Sequence, residues 1–282
     1  MEGSRNVRTF LRLEETRKGW LMLTIYDWFG YQLPNRERFR LIKDAGFDGV
    51  LLWWSNGFER DCFGQNDYRK GPEIAREVGL FIENIHAPVQ SENNLWLDNL
   101  EGEMVTDCYL QCIADCAEFE IPTMVLHLPN EENPCNTLGL DRIKRITEKA
   151  EQLGVNVALE NLWNISNLSY VLDQVDSLRI GFCYDSGHHY RHYPEIDLLS
   201  KYSSRLMALH LHDNNGSYAQ HGLPFDGTID WSTIMQKIAN INYSGAIAIE
   251  AMNWDYKELT AIEFLHKASE RARKLEALKF EA

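Results

Sequence analysis

The sequence predicts an α/β fold, a single (β/α)8 barrel spanning residues 1–282. Three observations predict it. Strand-like and helix-like segments alternate from one end of the chain to the other, which implies parallel pairing through right-handed crossovers. Eight such units can be read, and eight close into a barrel of roughly 250 residues. Six apolar runs stop at a residue able to bind a metal: FIENIH at His86, TMVLH at His127, VNVALE at Glu160, IGFCYD at Asp185 with His188 just after, LMALH at His210, and GAIAIE at Glu250. Runs this rich in Val, Ile, Leu and Ala suit strands buried on both faces. Side chains at the C-terminal ends of barrel strands converge on one site.

The elements follow in order. A first strand is read at 20–29; Pro34 then opens a helix through Ala45, stopped by Gly46. Proline near a helix start and glycine just past its end is the expected asymmetry. The second strand is 47–54, then a helix at 67–78 ended by Gly79, and the third strand is 80–88. A long helical segment at 99–119 precedes a strand at 121–129, and a helix at 138–153 ended by Gly154 precedes a strand at 155–162. A short helix near 167–176 leads to a strand at 179–188, and a helix near 194–202 to a strand at 205–214. A helix at 230–240, a strand at 244–252 and a last helix near 257–278 complete the chain. The longer strand-to-helix loops, 54–66, 88–98, 129–137 and 213–229, fall on the side where barrel active sites sit. No linker or composition shift marks a second domain.

Composition narrows the function classes. Of the 282 residues, 44% are hydrophobic and 25% charged, ordinary for a folded globular chain. No apolar run reaches the roughly 20 residues of a membrane span. The N-terminal MEGSRNVRTFLRLEETRKGW lacks an apolar core, so a secretory signal is not expected and a reducing cytoplasm is. A net charge of −14 disfavours charge-driven nucleic-acid binding. The six cysteines (Cys62, Cys108, Cys112, Cys116, Cys135, Cys183) form no CxxC pair. Cys108, Cys112 and Cys116 recur every four residues and are expected as a buried, reduced helix face.

Glu160, Asp185, His210 and Glu250 come from strands five to eight. Three carboxylates and one imidazole suit a divalent ion such as Mn²⁺, Co²⁺, Mg²⁺ or Zn²⁺. Burying a carboxylate without a partner costs several kcal/mol; a cation removes that cost. No cysteine is among the candidates, which argues against a closed structural zinc site. His86, His127, His188 and His221 are candidates for substrate contacts or a second ion. His212 shares the facing of His210 along its strand and is a fallback ligand. His189 and His192 read as loop or helix-start residues, and neither they nor His266 receive a role. Asn161 is expected to make a cap or loop hydrogen bond. Asp230 reads as an N-cap in the loop HGLPFDGTIDW (221–231), which is expected to shape the site mouth. Trp53, Trp54, Trp96, Trp163 and Trp254 lie after strands or in the following loops, where they are expected to pack the rim or stack on a bound ligand.

These residues resemble the xylose isomerase-like TIM barrels, the superfamily of sugar phosphate isomerases and epimerases and of apurinic-site endonuclease IV. The resemblance covers nearly the whole chain. It is carried by IHAP (85–88), LEN (159–161), YDSGH (184–188), LHLHDN (209–214) and HGLPFDGTIDW, which is similar to the family's H-x-x-P-G-x-G-x-I-D-W with Phe225 in place of glycine. In the epimerase branch the resemblance implies one ion on Glu160, Asp185, His210 (or His212) and Glu250, the two glutamates doubling as acid and base, and His188 touching substrate. In the endonuclease branch the zinc ligands map onto His86, His127, Glu160, Asp185, His188, His210, His221 and Glu250. A further Asp is expected at 219, where this chain has Ala219, which counts against a third zinc and against phosphodiester hydrolysis.

The leading expectation is therefore a divalent-metal-dependent isomerase or epimerase acting on a small-molecule sugar, sugar phosphate or polyol. It would work through a metal-stabilised enediolate, with Glu160 and Glu250 moving the carbon-bound proton. The alternative is a zinc phosphodiesterase acting on abasic DNA. A cyclic-polyol dehydratase uses similar chemistry. The resemblance also makes association of copies into a homo-oligomer compatible with the reading, and no membrane partner is expected.

Overall fold

The computed structural model describes residues 22–56, 68–130, 134–241 and 243–280. Cys62, most of the 54–66 loop and the charged N-terminus lie outside the described residues. Eight strands are present: β1 (Leu23–Tyr26), β2 (Gly49–Trp53), β3 (Phe81–His86), β4 (Thr123–Leu126), β5 (Asn156–Glu160), β6 (Ile180–Asp185), β7 (Leu206–His210) and β8 (Ile247–Ile249). They pair in parallel in the order β7-β6-β5-β4-β3-β2-β1-β8. A parallel bridge between Leu211 and Ile249 draws the two ends together. There the Leu211 N–H donates to the Ala248 carbonyl at 2.9 Å and the Glu250 N–H to the Leu211 carbonyl at 3.0 Å. The fold is the predicted (β/α)8 barrel.

The helices are α1 (Asn35–Asp44), α2 (Gly71–Glu77), α3 (Leu100–Glu118), α4 (Thr137–Leu153), α5 (Ile165–Gln174), α6 (Ser186–His192), α7 (Leu198–Lys201), α8 (Trp231–Asn240) and α9 (Ala261–Phe280). Several start where a short polar side chain accepts a first-turn N–H: Asn99 from Gly102, Asn136 from Gly139, and Asp230 from Thr233, as expected of Asp230. Gly154, with φ of 72°, ends α4 in the left-handed conformation that glycine adopts without strain. Cys108, Cys112 and Cys116 form the expected buried face of α3. Among the described residues no helix is long and apolar enough to cross a membrane.

Two elements depart from expectation. The strand read at 179–188 ends at Asp185, because Asp185 caps α6 and turns the chain into a helix at Ser186. His188, His189 and His192 are therefore helical. The helix read near 194–202 shrinks to the single turn α7, which starts only where the Asp197 side chain caps it by accepting the Ser200 N–H. Elsewhere the strands are shorter than the apolar runs, β8 most of all. Residues just past the strand ends, such as Ala87, Leu128, Asn161, Leu211 and Ala251, serve as buried connections.

Alternation along the strands divides the interior in two. Outward residues such as Val157, Leu159, Phe182 and Leu209 join the large core between sheet and helices. Inward residues Val125, Ala158, Cys183 and Ala208 form a separate small cluster inside the barrel. Each stands two residues before His127, Glu160, Asp185 or His210. Four small side chains thus support the polar groups at the strand ends.

Candidate metal centre at the barrel mouth

Glu160, Asp185, His210 and Glu250 converge as predicted: one ligand atom from each lies within 4.8 Å of the others, and all four residues are buried. His210 Nδ1 stands 2.9 Å from Glu160 Oε2 and 3.0 Å from Glu250 Oε2. These three atoms are nevertheless without a well-formed hydrogen bond among the described residues. Buried polar atoms are almost always paired. Three orphans converging from separate strands, all nitrogen or oxygen donors, fit a shared divalent cation.

Electrostatics agree. Burial pushes the Glu160 carboxyl up, but the His210 and His127 imidazoles outweigh it and hold it well below the usual range. Burial likewise opposes ionisation of Glu250, and His210 outweighs it. For His210, burial pulls the imidazole down while Cys183, Glu250 and Glu160 raise it well above its ordinary value. The site holds its carboxylates ionised and wants positive charge among them.

Asp185 differs from the two glutamates because both its oxygens have partners. Oδ1 accepts the His188 N–H at 2.6 Å and Oδ2 faces His212 Nε2 at 3.0 Å. A carboxylate oxygen keeps a second lone pair, so a ligand role survives. The YDSGH motif makes this contact. Ser186 Oγ donates to the His212 carbonyl at 2.7 Å and accepts its N–H at 3.0 Å. Gly187 leaves the space His212 occupies; a Cβ there would lie 1.9 Å from its ring. His210 is thus the residue between the glutamates, and His212 holds Asp185. Asn161 also ties β5 to β6: its Nδ2 donates to the Asp185 carbonyl at 2.9 Å and its Oδ1 accepts the Asp185 N–H at 2.7 Å. This is the structural hydrogen bond expected of Asn161.

The remaining histidines ring the same centre. His86 Nε2 lies 3.5 Å from Glu160 Oε2 and His127 Nε2 3.5 Å from Glu160 Oε1. His188 is further, 4.0 Å from Glu160 Oε1. His221 stacks on His212 with ring centroids 3.9 Å apart. Burial and the adjacent His212 push His221 down to about 4, so it is neutral at pH 7. Further groupings of close ligand atoms among the described residues include His86–His127–Glu160, His86–His210–Glu250 and His212–His221–Glu250.

Asp213 sets the loop that carries His221. Its carboxylate accepts the N–H of Phe225 at 2.9 Å, that of Ile229 at 3.2 Å, and the Trp231 indole N–H at 2.7 Å. Within this loop His221 and Phe225 take φ of 46° and 71°. Phe225 thus keeps a glycine-like backbone in place of glycine. Of the tryptophans, Trp54 and Trp96 are core residues, whereas Trp163 and Trp254 are exposed. Trp53 stacks on His86 at the mouth.

Sequence reasoning missed two site residues. Cys183 lies close enough to Glu160 and His210 to share a ligand group with them, and its position two residues before Asp185 signals that facing. Glu92, in the loop after β3, contacts His127 at 3.1 Å; no periodicity marks it.

Comparison with known proteins adds to this geometry. The family model described as Xylose isomerase-like TIM barrel matches residues 39–276. The uncharacterized protein y4fM of Sinorhizobium fredii (strain NBRC 101917 / NGR234) is 33% identical over a 295-residue alignment, covering 91% of this chain and 94% of that protein. Among solved structures, a D-tagatose 3-epimerase-like protein has a TM-score of 0.76 at 20% identity, covering 93% of this chain and 99% of that one. The IolI protein, solved with a bound zinc atom, has a TM-score of 0.75 at 15% identity, covering 93% of this chain and 100% of that one. At these identities the two structures share the fold.

Proposed function

Since the chain belongs to the xylose isomerase-like TIM barrel family, we propose that it is a divalent-metal-dependent sugar isomerase or epimerase working as a single barrel domain. The observation that carries this reading is the convergence of Glu160 Oε2 and Glu250 Oε2 on His210 Nδ1, 2.9 and 3.0 Å away, all three buried and without a well-formed hydrogen bond among the described residues. Names of fold neighbours support the substrate class: one is a D-tagatose 3-epimerase-like protein, and another holds zinc.

Glu160, Asp185, His210 and Glu250 would hold the ion. Bound there, it supplies Lewis-acid stabilisation of the negative charge that develops on substrate oxygens as a neighbouring carbon loses its proton. The chain's own groups do the rest. Glu160 and Glu250 come from β5 and the end of β8 and approach His210 from two sides. One takes the carbon-bound proton; that same group returns it to the same face, or the other, having taken up a proton from solvent, delivers one to the opposite face. Holding both carboxylates ionised keeps a base ready at neutral pH. His86 donates Nδ1–H to the Ala87 carbonyl at 2.9 Å, which leaves Nε2 facing the site as an acceptor for a substrate hydroxyl.

The test is elemental analysis of protein purified without chelators, with Glu160→Gln and Glu250→Gln alongside, followed by turnover of a ketose and aldose panel. About one ion per chain, weakened in both variants, with turnover of a sugar, is the expected result. Absence of any ion under every loading condition overturns the reading.

The His86–His127–Glu160 grouping favours a second reading, a zinc phosphodiesterase, because it offers a further ion site. Two or three zinc ions per chain with cleavage of an abasic duplex would establish it. Ala219 weighs against it.

A further inference from the structure

The loop 221–231, which starts at His221, is gripped from outside by the last helix. Asp226 accepts from Lys267 Nζ at 2.8 Å and from an Arg271 guanidinium nitrogen at 2.9 Å, both on α9. The Tyr256 hydroxyl donates to the same carboxylate at 3.0 Å and accepts the Leu223 N–H at 2.9 Å. Lys274 Nζ lies 3.9 Å from the centre of the Phe225 ring, and the Arg271 guanidinium carbon lies 6.0 Å from it. Residues 267, 271 and 274 share one face of the helix. Three cations of that face thus meet two adjacent loop residues.

The grip answers a conformational demand. Phe225 takes a φ of 71° where the similar motif has glycine, and His221 takes 46°. A side chain makes this region costly, and a residue other than glycine stays there only when its surroundings over-determine it. Glycine would adopt the same φ freely but would leave Lys274 and Arg271 nothing to hold. A cation over an aromatic face is attracted to it, so the ring that strains the turn also fastens it. The ring leans on Trp231 as well, with centroids 6.0 Å apart.

The other end of the loop meets the candidate metal centre. The His221 carbonyl accepts the N–H of Met252, two residues past Glu250, at 2.7 Å. One nitrogen of His221 lies within 4.8 Å of ligand atoms of His212 and Glu250. A shift of the loop therefore moves a wall of the mouth beside Glu250. Misplacement by about 1 Å from a change far from the chemistry can cost about 100-fold in rate.

We infer that Phe225 and Asp226 are positioning residues: they pass the hold of α9 to His221 and so fix the wall of the mouth against which a polyhydroxylated substrate is seated. The inference rests on the sugar reading for its substrate and on geometry alone for the hold on the loop.

The test uses full-length protein loaded with Mn²⁺, as the parent, Phe225→Gly, Phe225→Tyr and Asp226→Asn. Hydrogen exchange followed by mass spectrometry reads the loop, and D-tagatose and other ketoses are the probes of turnover. In Phe225→Gly the amides of 221–229 should exchange about 10-fold faster, with the rest of the barrel unchanged. KM should rise about 10-fold, with kcat changed less and metal content equal to the parent's. Phe225→Tyr keeps the ring and should match the parent. The pairs of Asp226 with Lys267 and Arg271 are partly exposed, so salt between about 0.01 M and about 1 M should weaken them and raise the KM of the parent. In Asp226→Asn that salt dependence should disappear. Parent-like exchange and KM in Phe225→Gly overturn the inference. So does faster exchange spread over the whole barrel, faster loop exchange with KM unchanged, loss of the ion in that variant, or a Phe225→Tyr that behaves like Phe225→Gly. If Phe225→Gly does not fold, Asp226→Asn decides, and a salt dependence equal to the parent's overturns the inference. If the parent turns over no sugar, the reading of the previous section falls, and loop exchange in the variants decides the hold of α9 by itself.

Discussion

The barrel encloses a glutamate at each end, and the two are treated in opposite ways. At the mouth, Glu160 stands among imidazoles that hold it ionised. Deeper toward the N-terminal ends of the strands, Glu83 on β3 has a hydroxyl for its nearest partner, since Thr24 Oγ1 donates to its Oε2. Residue 83 retains some surface area, but its carboxylate is enclosed, and burial pushes it up to about 7. The Tyr243 hydroxyl, also in the electrostatic reach of Glu83, is buried with no hydrogen-bond partner among the described residues. The same side chain in the same lumen is therefore a cation seeker at one end and near the point of protonation at the other. What differs is the contacts: histidines at the strand ends, a threonine hydroxyl at the floor, where the pull of His210 is too weak to offset burial. In the proposed reading, function belongs to the end where charge is maintained at a cost.

The strongest way to break this comparison is at the mouth. Glu160→Gln and Glu250→Gln should each lower kcat/KM by about 10²- to 10⁴-fold on whichever sugar the parent turns over. Glu83→Gln should leave it within a few-fold. A steady-state assay of the three variants checks this, and equal losses at both ends would remove the distinction. The next effect is on stability. A divalent ion at about 100 times its Kd should stabilise the parent by roughly 2.7 kcal/mol. Thermal unfolding with and without the ion should show that gain retained in Glu83→Gln and lost in Glu160→Gln.

The third prediction uses pH on metal-free protein. The folded-state value for Glu83, about 7, lies above its ordinary 4.5. The folded state therefore binds this proton more tightly than the unfolded chain does. The stability it contributes is complete below pH 4.5 and is lost as pH rises through about 7. Discounted for partial solvent access, the loss is on the order of 2 kcal/mol. Urea unfolding of the parent and Glu83→Gln at pH 5 and pH 8 should show the parent losing more than the variant across that interval. Equal losses would mean that Glu83 titrates normally.

The mouth was far more legible in the sequence than the floor, and the reason is physical. Glu160, Asp185, His210 and Glu250 each end an apolar run, so the carboxylate or imidazole stands out against its context and marks a strand end. The family motifs reinforce the same residues. Glu83 lies inside the run FIENIH, three residues before His86, where strict alternation points it away from the lumen. The register between β2 and β3 shifts between Val50 and Leu51, opposite Ile82 and Asn84, and leaves Glu83 as the extra residue. One sequence shows no such shift. Glu92 was invisible for another reason: tertiary anchoring by Arg142 and Asn136, not local pattern, brings it to His127. The helix at Ser186 escaped because Asp185 looks like the end of a strand and also serves as a helix cap.

The smallest effect gives the sharpest view of the floor. Thr24→Val removes the hydroxyl that donates to Glu83 and preserves the shape of the side chain. Where Glu83 is protonated, the lost bond joins two neutral groups and its removal costs about 1 kcal/mol. Where Glu83 is ionised, the acceptor is charged, and such bonds are roughly twice as strong. The cost of Thr24→Val should therefore grow between pH 5 and pH 8. The same hydroxyl favours the ionised form of Glu83, so its loss should also move the Glu83 transition to higher pH. In a Glu83→Gln background the acceptor cannot change charge, and the Thr24→Val cost should be flat with pH. A double-mutant cycle at the two pH values measures that difference directly. A cost that is flat in both backgrounds would mean that Thr24 senses no change of charge at Glu83, and the contrast between the two ends of the barrel would then rest on the mouth alone.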